Sequence, residues 1–406
     1  MALHKLDVAT PQGVGGALFK EAENYLFGYT SVVPAAAISL TMPIRAAQYS
    51  WPALHPVFQM NLPEGFMLEE LRNRLAKTMQ LDPMLLLAIA GGETAVGRVR
   101  VQSGGLPWAG TANAAPRGER LNEILLWDGA ENLFAELVDR YILRAGISGV
   151  QPKVLVPEVM EPPTDKATVI THELIVKSGR AQYPGLAANE FLCMGIAKEA
   201  GLPVPEFYLS RDHALFVMRR FDRTAQGQAL GFEDMAVLTG RRADQKYDGS
   251  YASLAKVVRL FASPQHVQAS LLELFDSVAL SCMLGNGDAH LKNFGLLYGD
   301  PTTDDCRLAP AFDIVNTTAY IPEDALALEL GGNKSLFASR LGLLGFATLC
   351  GVDNIRDRIE NLLLSAEKVL QRESAIAHTI PHVVAAMQYG MAQFEETFFR
   401  SVPRSP

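Results

Sequence analysis

Cysteine is scarce in this sequence and basic charge is in the minority, and both shortages narrow the functions open to it. The four cysteines, Cys193, Cys282, Cys306 and Cys350, lie far apart. They make none of the close pairs that bind zinc or cycle between thiol and disulfide, so buried free thiols are expected. Lys and Arg number 36 against 44 Asp and Glu, giving a net charge of −8 and a pI near 5.6. Such a chain has no broad basic face with which to bind nucleic acid by itself. Long apolar runs are missing as well: the densest, residues 84–90, is too short to cross a membrane. Residues 1–10 show no cationic segment followed by an apolar one, so no secretion signal is expected. These absences point to a cytoplasmic protein that does not engage a membrane.

What is present is an ordinary globular composition, 406 residues with 49% apolar and 20% charged, enough for two or three domains with cores of their own. One stretch stands out: Gly285-Asn286-Gly287-Asp288-Ala289-His290-Leu291-Lys292-Asn293-Phe294. It sets a carboxylate, an imidazole, an ammonium and an amide within six residues, behind a glycine-broken turn. Upstream, Leu271, Leu274, Phe275, Val278 and Cys282 recur at helical spacing. Ser263-Pro264 reads as the start of that helix and Gly285 as its stop. A buried helix thus delivers a polar loop, as rigid scaffolds place functional loops.

Asp288 and Asn293 stand five apart, the spacing of the catalytic aspartate and metal-binding asparagine in protein kinases. Residues 294–298 and 306–309 read as a hairpin turned by Gly299-Asp300-Pro301, which brings Asp313 back beside Asn293. Transfer from ATP needs two oxygen ligands for Mg²⁺, here Asn293 and Asp313, and a separate carboxylate at the acceptor hydroxyl, here Asp288. Taken alone, the ten residues describe equally well a solvated turn with local Asp and Asn backbone bonds.

The rest of the chain supplies context. Residues 1–105 read as a separate α/β unit. It has a strand pair at 17–19 and 25–27, and a helix carrying Leu68, Leu71, Leu75 and Met79 on one face. A strand over 93–101 carries Val96, Val99 and Val101. Residues 104–120, rich in Gly, Pro, Ala and Asn, read as a linker. A helix with Leu133, Phe134, Leu137 and Tyr141 inward precedes Ser148-Gly149-Val150-Gln151-Pro152-Lys153. That turn feeds a strand, and its backbone N–H groups and lysine suit an anionic ligand. Residues 168–177 form a β-branched strand ending at Lys177. The helix over 184–200 places Glu190 on its inward stripe, where a carboxylate is seldom left alone, and Lys177 is its expected partner. A hairpin over 206–218 leaves through Arg219-Arg220-Phe221-Asp222-Arg223. Beyond it the chain is helical, with polar islands such as Lys246-Tyr247-Asp248, and closes with long amphipathic helices over 353–373 and 375–399.

With those residues in view, the chain resembles the HipA-type serine/threonine kinases, the toxins of bacterial toxin–antitoxin pairs. The resemblance spans most of the chain. It rests on residues 148–153, Arg220-Phe221-Asp222-Arg223, Glu233-Asp234-Met235, residues 285–294 and Ala311-Phe312-Asp313-Ile314-Val315, with Asn61-Leu62-Pro63 and Gly97 in the first module. It implies an α/β (α+β), protein-kinase-like two-lobed fold. Residues 1–105 would be an N-terminal subdomain, 106–223 a β-rich N-lobe, and 224–406 a mostly helical C-lobe.

The same resemblance implies ATP and Mg²⁺ as cofactors. Asp288 would be the catalytic base, His290 its neighbour near the γ-phosphate or a brace for the loop, and Asn293 and Asp313 the metal ligands. Ser148, Gly149, Val150, Gln151, Lys153, Lys177 and Glu190 would serve the ATP phosphates, and backbone groups near Arg219 and Phe221 the adenine. A helix-turn-helix antitoxin similar to HipB, contact with operator DNA only through that complex, and an aminoacyl-tRNA synthetase as substrate are implied too. One departure bears on regulation. Members often carry an autophosphorylated serine two positions before Ser148, whereas this chain has Gly146. Autophosphorylation is therefore expected at Ser148, or the switch is absent.

Three other classes compete. Small-molecule phosphotransferases of the aminoglycoside and choline kinase type also use a Gly-Asp-x-x-x-x-Asn loop and a later aspartate; residues 148–153 and the N-terminal module separate this chain from them. A non-catalytic pseudokinase corepressor has no need of Lys177, Asp288, Asn293 and Asp313. A metal hydrolase built on Asp288-x-His290 needs further close His or Cys ligands, and none is near.

Overall fold

The computed structural model describes residues 3–75, 81–103, 118–129, 132–142, 151–159, 172–336 and 339–401. Gly146, Ser148, Gly149 and Val150 lie outside them, as do Met79, residues 168–171 of the expected strand and most of the expected linker. The chain divides into two compact units. The first takes Met1–Ser178, Ser210–Ala243 and Leu297–Thr303; the second takes Gly179–Leu209, Asp244–Leu296 and Asp304–Pro406.

The first unit opens with strands β1 (Lys5–Thr10), β2 (Gly13–Glu21), β3 (Asn24–Tyr29) and β4 (Tyr49–Trp51). Helices α1 (Pro56–Gln59), α2 (Gly65–Leu75) and α3 (Pro83–Ala90) follow, and then β5 (Arg100–Ser103). The sheet order is β4-β3-β2-β1-β5. Cross-strand pairing of Leu6 with Leu18 and of Leu18 with Phe27 puts all three on one face, because side chains alternate along a strand. All three are fully buried. That face cannot be exchanged for the other by a one-residue slip, which fixes the register. The expected hairpin at 17–27 is present as β2–β3. At the entry to α1, His55 Nδ1 accepts a hydrogen bond from the Val57 N–H at 3.3 Å.

Further along come α4 (Leu121–Leu125), α5 (Leu133–Tyr141), β6 (Lys153–Glu158) and β7 (His172–Ser178). The second unit then takes α6 (Leu186–Glu199) and β8 (Phe207–Leu209). The first unit resumes with β9 (Leu215–Arg219), β10 (Gly231–Asp234) and α7 (Met235–Leu238). Strands β6, β7 and β9 pair antiparallel in that order.

The strand expected over 93–101 is shorter than its valine pattern suggests. Only Arg100–Ser103 is extended, and Gly97 adopts a left-handed conformation with φ +77°. The reason lies in where the carbonyls go. Thr94 and Ala95 accept from the Arg220 guanidinium at 2.9 and 2.8 Å, and Ala95 also from Arg223 at 2.8 Å. Asp222 sits between the two arginines, 2.6 Å from Arg220 and 2.9 Å from Arg223, and accepts the Gly97 N–H at 2.7 Å. Arg220 also pairs with Glu173 on β7. The expected exit motif is thus a buried ionic clasp between residues 94–97 and β7. Glu233 works similarly: it accepts from Ser39 Oγ, the Leu40 N–H and the Tyr298 hydroxyl, while Asp234 caps α7 through Val237 N–H at 2.8 Å.

The second unit continues with α8 (Tyr251–Phe261), α9 (Val267–Leu284), β11 (Gly295–Tyr298, whose last two residues fall in the first unit) and β12 (Arg307–Leu308). It closes with α10 (Ser339–Cys350), α11 (Ile355–Arg372), α12 (Ser374–Ala377) and α13 (Pro381–Ser401). Helix α9 packs against α8, α10 and α13. It starts three residues later than Ser263-Pro264 suggested, because the Ser263 hydroxyl accepts the Cys306 N–H instead of capping the helix. At 18 residues with mean hydropathy 1.4, α9 is long and apolar enough to span a membrane, contrary to the expectation that no stretch approached that length. Two thirds of it is buried within the protein, as befits a core helix that is apolar on all sides. Two of its serines donate within the helix, Ser277 to the Glu273 carbonyl and Ser281 to that of Ser277, while Ser270 Oγ accepts the Leu308 N–H at 2.9 Å. The helix expected over 375–399 is broken, with Pro381 starting α13, because proline has no N–H to continue α12.

Asp222→Ala removes the carboxylate that two buried guanidinium groups share, leaving Arg220 with Glu173 alone, and unfolding free energy should drop by about 3–5 kcal/mol, measured by chemical denaturation. Burial lowers the His55 imidazole to about 4, below its unfolded value of about 6.5. Between those values the unfolded chain binds more protons, so stability is full above about pH 6.5 and is lost as pH falls toward 4. His55→Asn keeps an acceptor at the α1 cap and should flatten that part of the stability–pH curve.

Candidate functional site

The residues singled out in the sequence fall into two sets, one in each unit. In the second unit the loop begins where α9 stops. Gly285 is left-handed at φ +69°, and the Asn286 N–H reaches back to the Ser281 carbonyl at 2.9 Å, a Schellman-type closure that only glycine enters cheaply. Gly287 is required by crowding instead: a Cβ there would lie 2.1 Å from Asp324 Oδ2. The Thr317 hydroxyl accepts the Gly287 N–H at 2.8 Å, and the Gly285 carbonyl accepts the Thr317 N–H at 3.0 Å.

The loop then holds itself in shape. Asn286 Oδ1 accepts the Asp288 N–H at 3.0 Å. His290 caps the 3₁₀ turn Leu291–Asn293: its Nδ1 accepts the Lys292 N–H at 3.3 Å, while Asn293 Oδ1 accepts the His290 N–H at 3.1 Å. Asn293 Nδ2 donates to Asp313 Oδ2 at 3.3 Å, so the expected return of Asp313 beside Asn293 is what the structure has. Asp313 stands at φ +60°, a conformation aspartate tolerates better than most residues. Asp288, His290, Asn293 and Asp313 are therefore gathered in one cluster.

Two asparagines outside the motif align its parts. Asn189 on α6 donates through Nδ2 to the Asn316 carbonyl at 2.8 Å and accepts the Asn316 N–H at 2.9 Å. The Asn316 side chain in turn donates to the Leu284 carbonyl at 2.6 Å and accepts the Ala319 N–H at 2.8 Å. Both asparagines are fully buried. Asn189 lies one residue before Glu190 on a helix that is buried nearly all round, and such a helix has no single apolar stripe to mark it. Tyr247 belongs in the sequence to a polar island with no motif of its own, yet its hydroxyl donates to Asp288 Oδ1 at 2.8 Å. Its ring meets that of His290 edge-on, centroids 5.1 Å apart.

Desolvation is the largest influence on Asp288 and lifts its carboxyl above the usual range; Asp313 and Asp324 add to this, while the Tyr247 bond and the Lys246 charge oppose it. The side chain is nonetheless half-reached by solvent. Burial, aided by the charges of Lys246 and Lys292, pushes the His290 imidazole down to about 3. His290 is thus neutral near pH 7, with Nδ1 engaged as an acceptor and Nε2 3.9 Å from Asp288 Oδ1. That geometry serves the brace more directly than a charge facing a phosphate.

Among the described residues no group of three or more His, Cys, Asp or Glu side chains is arranged to hold a metal ion. Asn293 and Asp313 stand side by side as a candidate all-oxygen donor set, although here the Asn293 amide nitrogen faces the carboxylate and its Oδ1 accepts the His290 N–H. Such a set suits Mg²⁺, which is commonly bound by one or two carboxylates together with water and substrate phosphates.

In the first unit, Lys153 and Lys177 face each other directly across β6 and β7, on the same side of the sheet and both buried. The Lys177 ammonium lies 5.5 Å from the centroid of the Phe216 ring. Arg219 spends its side chain on Glu158, donating at 3.0 and 2.7 Å, and Phe221 packs edge-on against Phe232 at 5.4 Å. Gln151 is partly exposed just before β6. Glu190 is wholly buried on α6 in the second unit.

Asn189→Ala strands the Asn316 backbone N–H and carbonyl in the core. At about 1–3 kcal/mol for each buried group left unpaired, the variant should lose about 2–6 kcal/mol of stability, read from denaturant unfolding of the full chain.

Comparison with known proteins agrees with this architecture. A profile of the HipA N-terminal domain matches residues 6–102, and one of the HipA-like C-terminal domain matches residues 145–387. Y4dM of Sinorhizobium fredii, which carries the word kinase in its name, is 36% identical over 180 residues, 40% of this chain and 42% of that relative. The chain thus spans less than half of that relative's length. A protein of Haemophilus influenzae, likewise named for a kinase, is 32% identical over 251 residues, 56% of this chain and 69% of its own. Y4mE of Sinorhizobium fredii is 26% identical over 82% of each chain. Among solved structures, HipA of Shewanella oneidensis MR-1, determined with HipB and operator DNA, superposes with a TM-score of 0.65 at 18% identity, covering 98% of this chain and 100% of that one. The chain has the HipA fold, and with its C-terminal family domain spanning more than half its length it belongs to the HipA family.

Proposed function

We propose that this protein is an ATP- and Mg²⁺-dependent serine/threonine protein kinase, the toxin of a toxin–antitoxin module. The observation that carries the proposal is the cluster of Asp288, Asn293 and Asp313, in which one carboxylate stands apart from a bonded amide–carboxylate pair. In this reading Asp288 accepts the proton of the acceptor hydroxyl as the γ-phosphoryl group is transferred. Its raised proton affinity suits a base. Asn293 and Asp313 hold Mg²⁺, which when bound neutralises charge on the phosphates. Lys153 and Lys177 meet those phosphates from the strands that carry them, together with the loop over Ser148, Gly149, Val150 and Gln151, and the backbone near Arg219 and Phe221 receives the adenine. His290 keeps the loop in its capped turn. Positioning and charge neutralisation are most of the catalysis in phosphoryl transfer.

The partner proposed is a HipB-like helix-turn-helix antitoxin, through which operator DNA is reached. The net charge of −8 suits a basic, DNA-binding partner. The substrate class proposed is a translation component such as an aminoacyl-tRNA synthetase. Ser148 is proposed as the autophosphorylation site, and a phosphate there would crowd those of ATP with like charge.

The test is phosphate transfer from ATP and Mg²⁺ to proteins of a cell lysate, read by mass spectrometry for the wild type and Asp288→Asn. Phosphoprotein in the wild-type lane alone is expected, with a loss of about 10²–10⁴-fold in the variant. His290→Gln should cost much less than Asp313→Ala. Nucleotide turnover with transfer only to small molecules would favour the aminoglycoside and choline kinase class, and nucleotide binding without any transfer a pseudokinase.

A further inference from the structure

Tyr247 holds a position that the chemistry above assigns to something else. An acceptor hydroxyl attacks only after its O–H donates to the Asp288 carboxylate, and in this structure the phenol of Tyr247 makes that bond, 2.8 Å to Oδ1. The contact is O–H to carboxylate, the same pairing and length a serine or threonine would offer. We propose that Tyr247 occupies the acceptor seat on Asp288, so that a substrate hydroxyl, or water, must displace it before transfer. The proposal rests on Asp288 being the base.

Two features favour an occupant over a permanent brace. The first is exposure. Tyr247 is 41% exposed and the Asp288 side chain about half, so water competes for the bond and its net worth is small. The loop's permanent braces are enclosed by contrast: Asn286 and His290 are buried and bond its backbone. The second is how the tyrosine is tethered. Its main chain is pinned: the Lys246 carbonyl accepts the Leu291 N–H at 3.1 Å, and the Tyr247 carbonyl accepts from Lys334 Nζ at 2.9 Å. The backbone thus keeps the residue beside the loop, while the half-exposed ring, edge-on to His290 and under the Lys246 ammonium, is held by side-chain contacts alone and leaves Asp288 by side-chain rotation without moving the main chain. Such an arrangement sets a threshold for acceptors: one that docks well enough to replace a weak phenol bond is admitted, and solitary water is disfavoured.

The experiment compares Mg²⁺–ATP hydrolysis, with water as the acceptor, in the wild type, Tyr247→Phe, Asp288→Asn and the double variant of the full chain. Tyr247→Phe removes one oxygen and retains the ring against His290; equal thermal melting of wild type and variant confirms the fold. An emptied seat should raise hydrolysis about 5–10-fold, the equivalent of one modest hydrogen bond, and the gain should vanish in the double variant. In the lysate assay the same substitution should lower the apparent KM for protein acceptors and leave kcat within about two-fold. Hydrolysis equal to or below the wild type, or a fall in kcat at unchanged KM, overturns the proposal and makes Tyr247 an orienting brace. If Asp288→Asn abolishes transfer to lysate proteins while Tyr247→Phe brings no gain, the kinase stands and the seat is refuted. If neither hydrolysis nor transfer depends on Asp288 in any variant, the kinase reading fails and the seat with it.

Discussion

Asn316 closes the open end of the core helix, and the candidate site depends on that closure. A helix end leaves carbonyls without partners, and here the Leu284 carbonyl is taken by the Asn316 amide. The backbone of Asn316 is held in turn by Asn189 from α6. One buried network therefore fixes three things at once: where α9 stops, where the loop of Asp288 begins, and where the chain runs just after Asp313. The pair Asn293–Asp313 is the product of that alignment. None of these polar groups is cheap to bury, and a fully satisfied network specifies a single arrangement where an apolar core would tolerate several.

The first unit solves an equivalent problem with charge. Arg220, Asp222, Arg223 and Glu173 form a buried cluster that also donates to the carbonyls of Thr94, Ala95 and Gly97. Desolvation opposes the Asp222 charge, but the two arginines outweigh it and hold the carboxyl well below the ordinary carboxylate range. Glu233 is held by hydrogen-bond donors from Ser39, Leu40 and Tyr298, and burial, the largest influence, raises its carboxyl instead. Both carboxylates bind N-terminal segments, residues 94–97 and 39–40, so the motif residues around them serve assembly of the unit.

Much of the fold was legible. The hairpin β2–β3, the helices around Phe134, Glu190 and Phe275, and the left-handed stop at Gly285 follow from apolar period and turn chemistry, which are local. The failures share a cause. The valines of residues 93–101 alternate as in a strand, but side chains from residues 220–223 take the carbonyls a strand would have used. Ser263 looks like a helix cap, but a distant N–H, that of Cys306, takes its hydroxyl. Local pattern records which groups seek partners, and the partner is chosen by whichever group the fold brings nearest.

The same division runs through the candidate site. By itself the sequence determined the donor set, carboxylate, imidazole and amide at fixed spacing, because those groups lie within one short loop whose length limits their separation. It also determined that Asp313 returns to Asn293, since a short hairpin leaves little freedom for the chain between them. Only the tertiary structure decided that His290 is a neutral brace, since its proton affinity depends on burial and on Lys246 from a separate segment. Only the tertiary structure put Tyr247 on Asp288 and Asn189 under Asn316. Those contacts join residues 41 and 127 positions apart, and no local periodicity carries information over such a distance.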